Sequence, residues 1–164
     1  MATSGKNLSK YDKSSIPNGK DMVVGIVVSE WNDHITTNLL NGAVEALIDN
    51  GVKRKNIIIR FVPGAFELPL GAQLMLENTD VDGVICLGSV IQGETKHFDF
   101  VCQGAADGIL KVGLDFSTPV ILGLLTDNTE QQAKDRSGGK HGNKGTECAI
   151  ACLKMIELSN SFDY

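Results

Sequence analysis

Four short apolar runs alternate with longer stretches in which apolar positions recur every three or four residues. Residues 22–28 are rich in Val and Ile and read as a central parallel strand. From 34 to 50, Ile35, Leu39, Leu40, Ala43, Val44, Leu47 and Ile48 fall on one helical face, and Asn50–Gly51 supplies the stop. Residues 56–62, with Ile57, Ile58 and Ile59 in succession, predict a second strand, broken at Pro63–Gly64. A helix then opens at Ala65 and runs to about Asn78, with Pro69 in its first turn, where a missing N–H costs nothing. The third unit is a strand over 81–87 and a helix over 99–115. The fourth is a strand over 119–125, a capping run 126–129, a short helix 129–136, a glycine-rich loop 137–145 and a last helix 146–158. This alternation predicts an α/β fold with a four-stranded parallel sheet and helices on both faces.

In a parallel sheet the loops that leave the strands share one edge, where ligands bind. Those loops carry unusual residues. The stretch 88–97 (Gly-Ser-Val-Ile-Gln-Gly-Glu-Thr-Lys-His) has two glycines, a Thr, a Glu and one of three histidines. Read functionally, its amides lead into a helix and favour an anion, with His97 placed to move protons near neutrality. Read plainly, it is a polar connection with an exposed histidine. Trp31, the single tryptophan, stands in the loop after the first strand. It is either a stacking face for a flat heterocycle or a half-buried packing residue. Glu67 beside Phe66 is a ligand carboxylate or a helix-dipole partner. Arg136 and Lys144 bracket the loop 137–145, which is a phosphate site or a solvated connection.

Composition narrows these options. The 164 residues, 42% hydrophobic and 21% charged, suit one soluble domain, and the net charge of −5 with no basic run argues against nucleic acid. No apolar run is long enough to span a bilayer. Residues 1–20 are polar, lack a signal-peptide core and read as a flexible arm ahead of a single domain over 21–164, which points to the cytoplasm. Cys86, Cys102, Cys148 and Cys152 have no zinc spacing and read as buried, reduced thiols. Neither GxGxxG after the first strand nor GxxxxGK(S/T), GxSxG or HExxH is present. Any catalysis is therefore expected to be metal-free acid–base work with anion anchoring.

Four motifs in order carry a resemblance: Val-Pro-Gly-Ala-Phe-Glu-Leu-Pro at 62–69, Gly-Ser-Val-Ile-Gln-Gly-Glu-Thr-Lys-His-Phe at 88–98, Gly-Leu-Leu-Thr at 123–126, and Arg-Ser-Gly-Gly at 136–139 with Gly-Asn-Lys-Gly at 142–145. Together they resemble the 6,7-dimethyl-8-ribityllumazine synthase family over nearly the whole chain after the arm. The resemblance implies a flavodoxin-like three-layer sandwich. It also implies the penultimate step of riboflavin biosynthesis: condensation of 5-amino-6-(D-ribitylamino)uracil with 3,4-dihydroxy-2-butanone 4-phosphate, with no metal or cofactor.

By resemblance, Trp31 stacks on the pyrimidine with Asn32 beside it, and Ala65, Phe66 and Glu67 line the ribityl chain. Ser89, Val90 and Ile91 present backbone groups to the pyrimidine edge, and Glu94 and Thr95 cradle the phosphate. Arg136 clamps the phosphate, His97 transfers protons, and Lys144 is a supporting residue. Homopentamers, in some members larger shells, are implied, with Arg136 and Leu122 reaching the site from the adjacent chain and the arm packing on a neighbour. Two positions depart from the family pattern: Leu122 stands where Phe is common, and Gln92 where Arg or Lys is common. Both bear on affinity more than on activity. A catalytically idle flavin- or lumazine-binding assembly protein on the same scaffold is the alternative. A generic flavodoxin-like nucleotide binder would need a phosphate loop at 29–33, which is not there.

Overall fold

The computed structural model describes residues 6–162. Met1–Gly5 of the expected arm, and the last two residues, lie outside the described residues. The chain runs β1 (Val24–Ser29), α1 (Asp33–Asp49), β2 (Ile57–Val62), α2 (Leu68–Asn78), β3 (Gly83–Ile91), α3 (His97–Asp115), β4 (Val120–Asp127), α4 (Glu130–Arg136), β5 (Ser137–Gly139), β6 (Gly142–Asn143) and α5 (Lys144–Asn160). The first four strands form one sheet in the order β2-β1-β3-β4, every pairing parallel. That order reverses direction at β1, as in flavodoxin-like folds, and places a crevice beyond the carboxyl ends of β1 and β3.

Side-chain alternation along the strands feeds two cores. Val24, Ile26 and Val28 of β1 and Ile85 and Leu87 of β3 pack with α1 and α5 through Ile35, Leu39, Leu47, Leu153 and Ile156. Val27, Val84 and Cys86 point the other way, against Leu68 and Ala72 of α2 and Ala105 and Ile109 of α3. The result is the expected three-layer sandwich with helices on both faces. Strands buried on both sides read as unbroken apolar runs, which is why β1 and β3 were legible. Pro69 lies at the start of α2, and Gly51 follows α1 with φ +96°, a left-handed value that suits glycine.

Several boundaries differ from the sequence expectation, among them the start of α3 at His97 rather than Asp99. β3 continues through Ile91, so Gly88, Ser89, Val90 and Ile91 belong to a strand rather than to a loop. Gly88 looked like a breaker, yet its role is close packing: a Cβ there would stand 2.9 Å from Leu124 Cδ1 and 3.0 Å from Leu68 Cδ1. Pairing with β4 carries β3 on, Ile91 opposite Asp127, so Thr126 and Asp127 are strand residues and the cap of α4 is Thr129. The loop 137–145 holds the antiparallel β5–β6 pair, with Gly138 at φ +111° and Gly142 at φ +84°, and α5 starts at Lys144 rather than Thr146.

Residues 6–20 of the arm lie on their own chain. Leu8 N–H donates to the His141 carbonyl at 2.7 Å, and Tyr11 and Lys13 both reach the Asp49 carboxylate, at 2.8 and 2.7 Å.

Candidate active site

Three of the four strand-end segments meet in one cleft. Residues after β1 (Trp31, Asn32), after β2 (Ala65, Phe66, Glu67) and from the end of β3 into α3 (Ser89, Val90, Ile91, Thr95, His97) line a volume of about 750 Å³. Ten of the expected site residues thus come together. Backbone bonds set the geometry: Glu30 N–H donates to the Val62 carbonyl at 2.8 Å and Trp31 N–H to the Pro63 carbonyl at 3.2 Å. These continue the β1–β2 ladder one step past the strands. They hold the Trp31 ring, 72% exposed, at the rim instead of in the core. Within its own chain Trp31 is therefore not half-buried.

Asn32 adopts the left-handed region, φ 58° and ψ 48°, at the start of α1. Its side-chain amide donates to the Ser89 carbonyl at 2.9 Å. Asn tolerates this conformation better than most residues, because its short polar side chain bonds locally. Ser89 itself is 1% exposed, and its hydroxyl is buried with no hydrogen-bond partner among the described residues. Alternation puts it on the α1 side of the sheet, with Ile85 and Leu87. Its backbone, not its hydroxyl, is what faces the cleft.

A tight helical turn, Ala65–Glu67, precedes α2 and turns Phe66 and Glu67 outward while burying Ala65. The Phe66 ring leans on α3 at Gly104, where a Cβ would come within 2.5 Å of Cε2. His97 is the first residue of α3, and its N–H donates to Thr95 Oγ1 at 3.3 Å. Phe98, Phe100 and Val101 of the same helix complete the wall together with Gly64 and Gly93. These were not anticipated as site residues; the run of aromatics just after His97 is the sequence signal that marked them. The cleft is therefore an aromatic slot with a carboxylate at one side and an imidazole at a helix start at the other. Such a site suits a flat ring carrying a polar chain.

Four expected residues lie elsewhere. Glu94 is exposed on the loop before α3 and does not line the cleft. Leu122, 44% exposed, sits midway along the edge strand β4. Arg136 ends α4, with Nη1 donating to the Gln132 carbonyl at 3.0 Å and 3.8 Å from Asp127 Oδ1. Lys144 is mostly buried at the start of α5, its ammonium 3.0 Å from Glu147 Oε1. Burial works against that charge, but the bond to Glu147 leads the opposing contributions and leaves its pKa above the ordinary lysine value. No lysine or arginine lines the cleft among the described residues. A second cleft of about 710 Å³, between α1 and the β5–β6 pair, holds none of the expected site residues. Among the described residues, no helix is long and apolar enough to cross a membrane, and no cluster of His, Cys, Asp or Glu is arranged to hold a metal.

Three of the four thiols are buried as read from sequence, whereas Cys102 on α3 is only partly buried. Cys86, Cys148 and Cys152 are buried, and burial raises their pKa values, that of Cys148 to about 12.

The 6,7-dimethyl-8-ribityllumazine synthase family profile matches residues 21–160. Over 158 residues the chain is 61% identical to the 6,7-dimethyl-8-ribityllumazine synthase of Flavobacterium johnsoniae, covering 96% of this chain and 83% of that protein. It is 55% identical to the enzyme of the same name from Christiangramia forsetii, covering 96% and 95%. The corresponding Porphyromonas gingivalis protein is 50% identical, covering 96% and 98%. Matched from β1 through α5 and sharing half or more of its residues with such proteins, the chain belongs to the 6,7-dimethyl-8-ribityllumazine synthase family.

Proposed function

We propose that the protein makes 6,7-dimethyl-8-ribityllumazine for riboflavin biosynthesis, condensing 5-amino-6-(D-ribitylamino)uracil with 3,4-dihydroxy-2-butanone 4-phosphate. The observation that carries this reading is the convergence of Trp31, Phe66, Glu67 and His97 on one cleft from three strand ends. Trp31 provides a face for the pyrimidine, Asn32 fixes the loop behind it, and Phe66 with Glu67 receives the ribityl chain. The Ser89–Ile91 backbone at the end of β3 addresses the ring, and the Gly93–Thr95 turn receives the phosphate at the start of α3.

The 5-amino group attacks the ketone and loses water to give an imine. Phosphate leaves by elimination, the enol so formed tautomerises to a ketone, and the ribitylamino nitrogen attacks that carbonyl and expels a second water as the ring closes. His97 carries protons between these steps. The remaining acceleration comes from holding two substrates in contact.

A phosphate substrate calls for a cationic partner, and among the described residues no lysine or arginine lines the cleft. Arg136 is partly exposed at the end of α4, and Leu122 is exposed on the edge strand β4. Both are placed to complete the cleft of an adjacent copy, with Arg136 clamping the phosphate. A homopentamer, alone or in a larger shell, has this arrangement. Exposed Phe100, Leu110 and Leu114 along α3 supply apolar surface for such contacts. Lys144, paired with Glu147, supports the α5 start rather than touching substrate. The protein works in the cytoplasm, with no membrane or nucleic-acid partner.

The test is turnover. Mixing the purified protein with both substrates forms the lumazine product, followed by absorbance, above the uncatalysed background. His97→Ala lowers kcat with pyrimidine binding kept, by about 10²-fold or more for a lost general acid–base. Arg136→Ala raises KM for the butanone phosphate alone. Absence of turnover with tight flavin binding would establish the idle assembly protein instead.

A further inference from the structure

Asp127 closes β4 and Arg136 closes α4. Asp127 is 6% exposed, yet only Oδ1 approaches a cation, at 3.8 Å from Arg136 Nη1. Oδ2 is buried with no hydrogen-bond partner among the described residues. A buried carboxylate with an unpaired oxygen is costly, so its presence requires a reason.

The fold does not supply one. The N-terminus of α4 is capped without Asp127: Thr129 Oγ1 accepts from Gln132 N–H at 3.2 Å, and Gln132 Oε1 accepts from Asn128 N–H at 2.8 Å. The Asp127 backbone is fixed, since its carbonyl accepts from Gln92 N–H at 2.9 Å and its strand position pairs with Ile91. The carboxylate thus hangs from a rigid strand end, directed at the guanidinium. Arg136 spends one contact on the Gln132 carbonyl and keeps its remaining N–H donors for another group.

We propose that Asp127 is a positioning residue that aims Arg136 at the phosphate of the substrate held in the neighbouring copy's cleft. The proposal rests on the reading of Arg136 as the phosphate clamp. A long, partly exposed arginine loses side-chain entropy when it grips an anion; a fixed carboxylate behind it removes part of that loss beforehand. The opposite effect is also physical: a nearby negative charge partly neutralises the arginine and weakens its hold on phosphate. The two effects have opposite signs, which makes the proposal decidable.

The experiment measures KM for each substrate and kcat for the full-length protein, Asp127→Asn, Arg136→Ala and the double variant. Asp127→Asn keeps the shape and removes the charge. It is expected to raise KM for the butanone phosphate roughly 2- to 12-fold, the range for ordering one long side chain. The change should fall on that KM rather than on kcat or the pyrimidine KM, and the amide should add nothing once Arg136 is alanine. Asp127→Ser, smaller and neutral, gives the same reading should the amide not fold. An unchanged or lowered phosphate KM, or an equal effect in the Arg136→Ala background, overturns the positioning role while leaving the clamp intact. If Arg136→Ala itself leaves the phosphate KM unmoved, the clamp reading fails and the positioning role with it.

Discussion

Asn32 gives its side-chain amide to the carbonyl of Ser89 at 2.9 Å, tying the loop that carries Trp31 to the end of β3. One residue thereby ends a strand loop, starts a helix and sets the spacing between two walls of the cleft. The resemblance places Asn32 beside the pyrimidine; in the structure one side-chain N–H of Asn32 is given to the Ser89 carbonyl.

Asn32→Ala removes the hydrogen bond and leaves a residue with a Cβ at φ 58°. The loss should be about 1–3 kcal/mol in urea unfolding, combining an abandoned part-buried carbonyl with left-handed strain. Asn32→Gly removes the same bond and restores the backbone freedom, so it should cost less. Equal losses for both would assign the whole effect to the hydrogen bond. Both variants should weaken quenching of Trp31 fluorescence by the pyrimidine substrate.

Gly104→Ala separates stability from binding. In the middle of α3 alanine is favoured over glycine by about 1 kcal/mol. Its Cβ, however, would press on the Phe66 ring at 2.5 Å. Phe66 is 59% exposed, so the ring swings away at small cost. Thermal stability should hold or rise while affinity for the ribityl substrate falls. Calorimetric titration beside a melting curve reads both at once, and unchanged affinity would remove Phe66 from the ribityl wall.

Where strands are buried on both faces, as in β1 and β3, apolar runs located them to within a few residues. The helices with one apolar face were equally legible. Glycine misled at position 88, because a sequence cannot tell a glycine that turns the chain from one that lets Leu68 and Leu124 approach. The β5–β6 pair was hidden for a related reason: it is three residues against two, too short for any alternation to register. Within the site, the strand-edge argument brought together Trp31, Phe66, Glu67 and His97. It pointed to Thr126 and Asp127 at the end of the fourth strand, but not to what sets Asp127 apart, one carboxylate oxygen near Arg136 and the other buried without a partner among the described residues.

Close approach of helices α1 and α5 depends on Gly145. A Cβ there would run into the carbonyl of Leu39, a backbone atom that cannot swing aside. Gly145→Ala should therefore destabilise the fold by roughly 1–3 kcal/mol or more, as overpacking does. Gly93 is the matched control: no atom lies within 4 Å of its Cβ position, and its φ is not in the left-handed region. Gly93→Ala should stay within about 0.5 kcal/mol of the parent in the same denaturation experiment. A reversed order would mean that α1 and α5 separate more easily than their packing implies.

Acid should release the arm before it unfolds the domain. The hydrogen bond from Lys13, followed by that from Tyr11, holds the Asp49 carboxyl below its ordinary value of 3.8. Asp12 is also lowered, by its side-chain and backbone bonds with Ser14, at the turn Lys13–Ser15. A depressed carboxylate pKa contributes stability above the unfolded value, which is lost as the pH falls through the folded one. Both groups act in the same direction, so the contacts of residues 11–15 are present at neutral pH and fail below 3.8. The two central strands β1 and β3 hold no ionisable group other than the buried Cys86 thiol, which stays neutral throughout this range. Amide exchange should thus speed up at Ser14 and Ser15 while Ile26 and Ile85 remain protected, and Asp49→Asn should loosen the same segment at neutral pH. Exchange that accelerates in the arm and the core together would show that the arm is part of the cooperative fold.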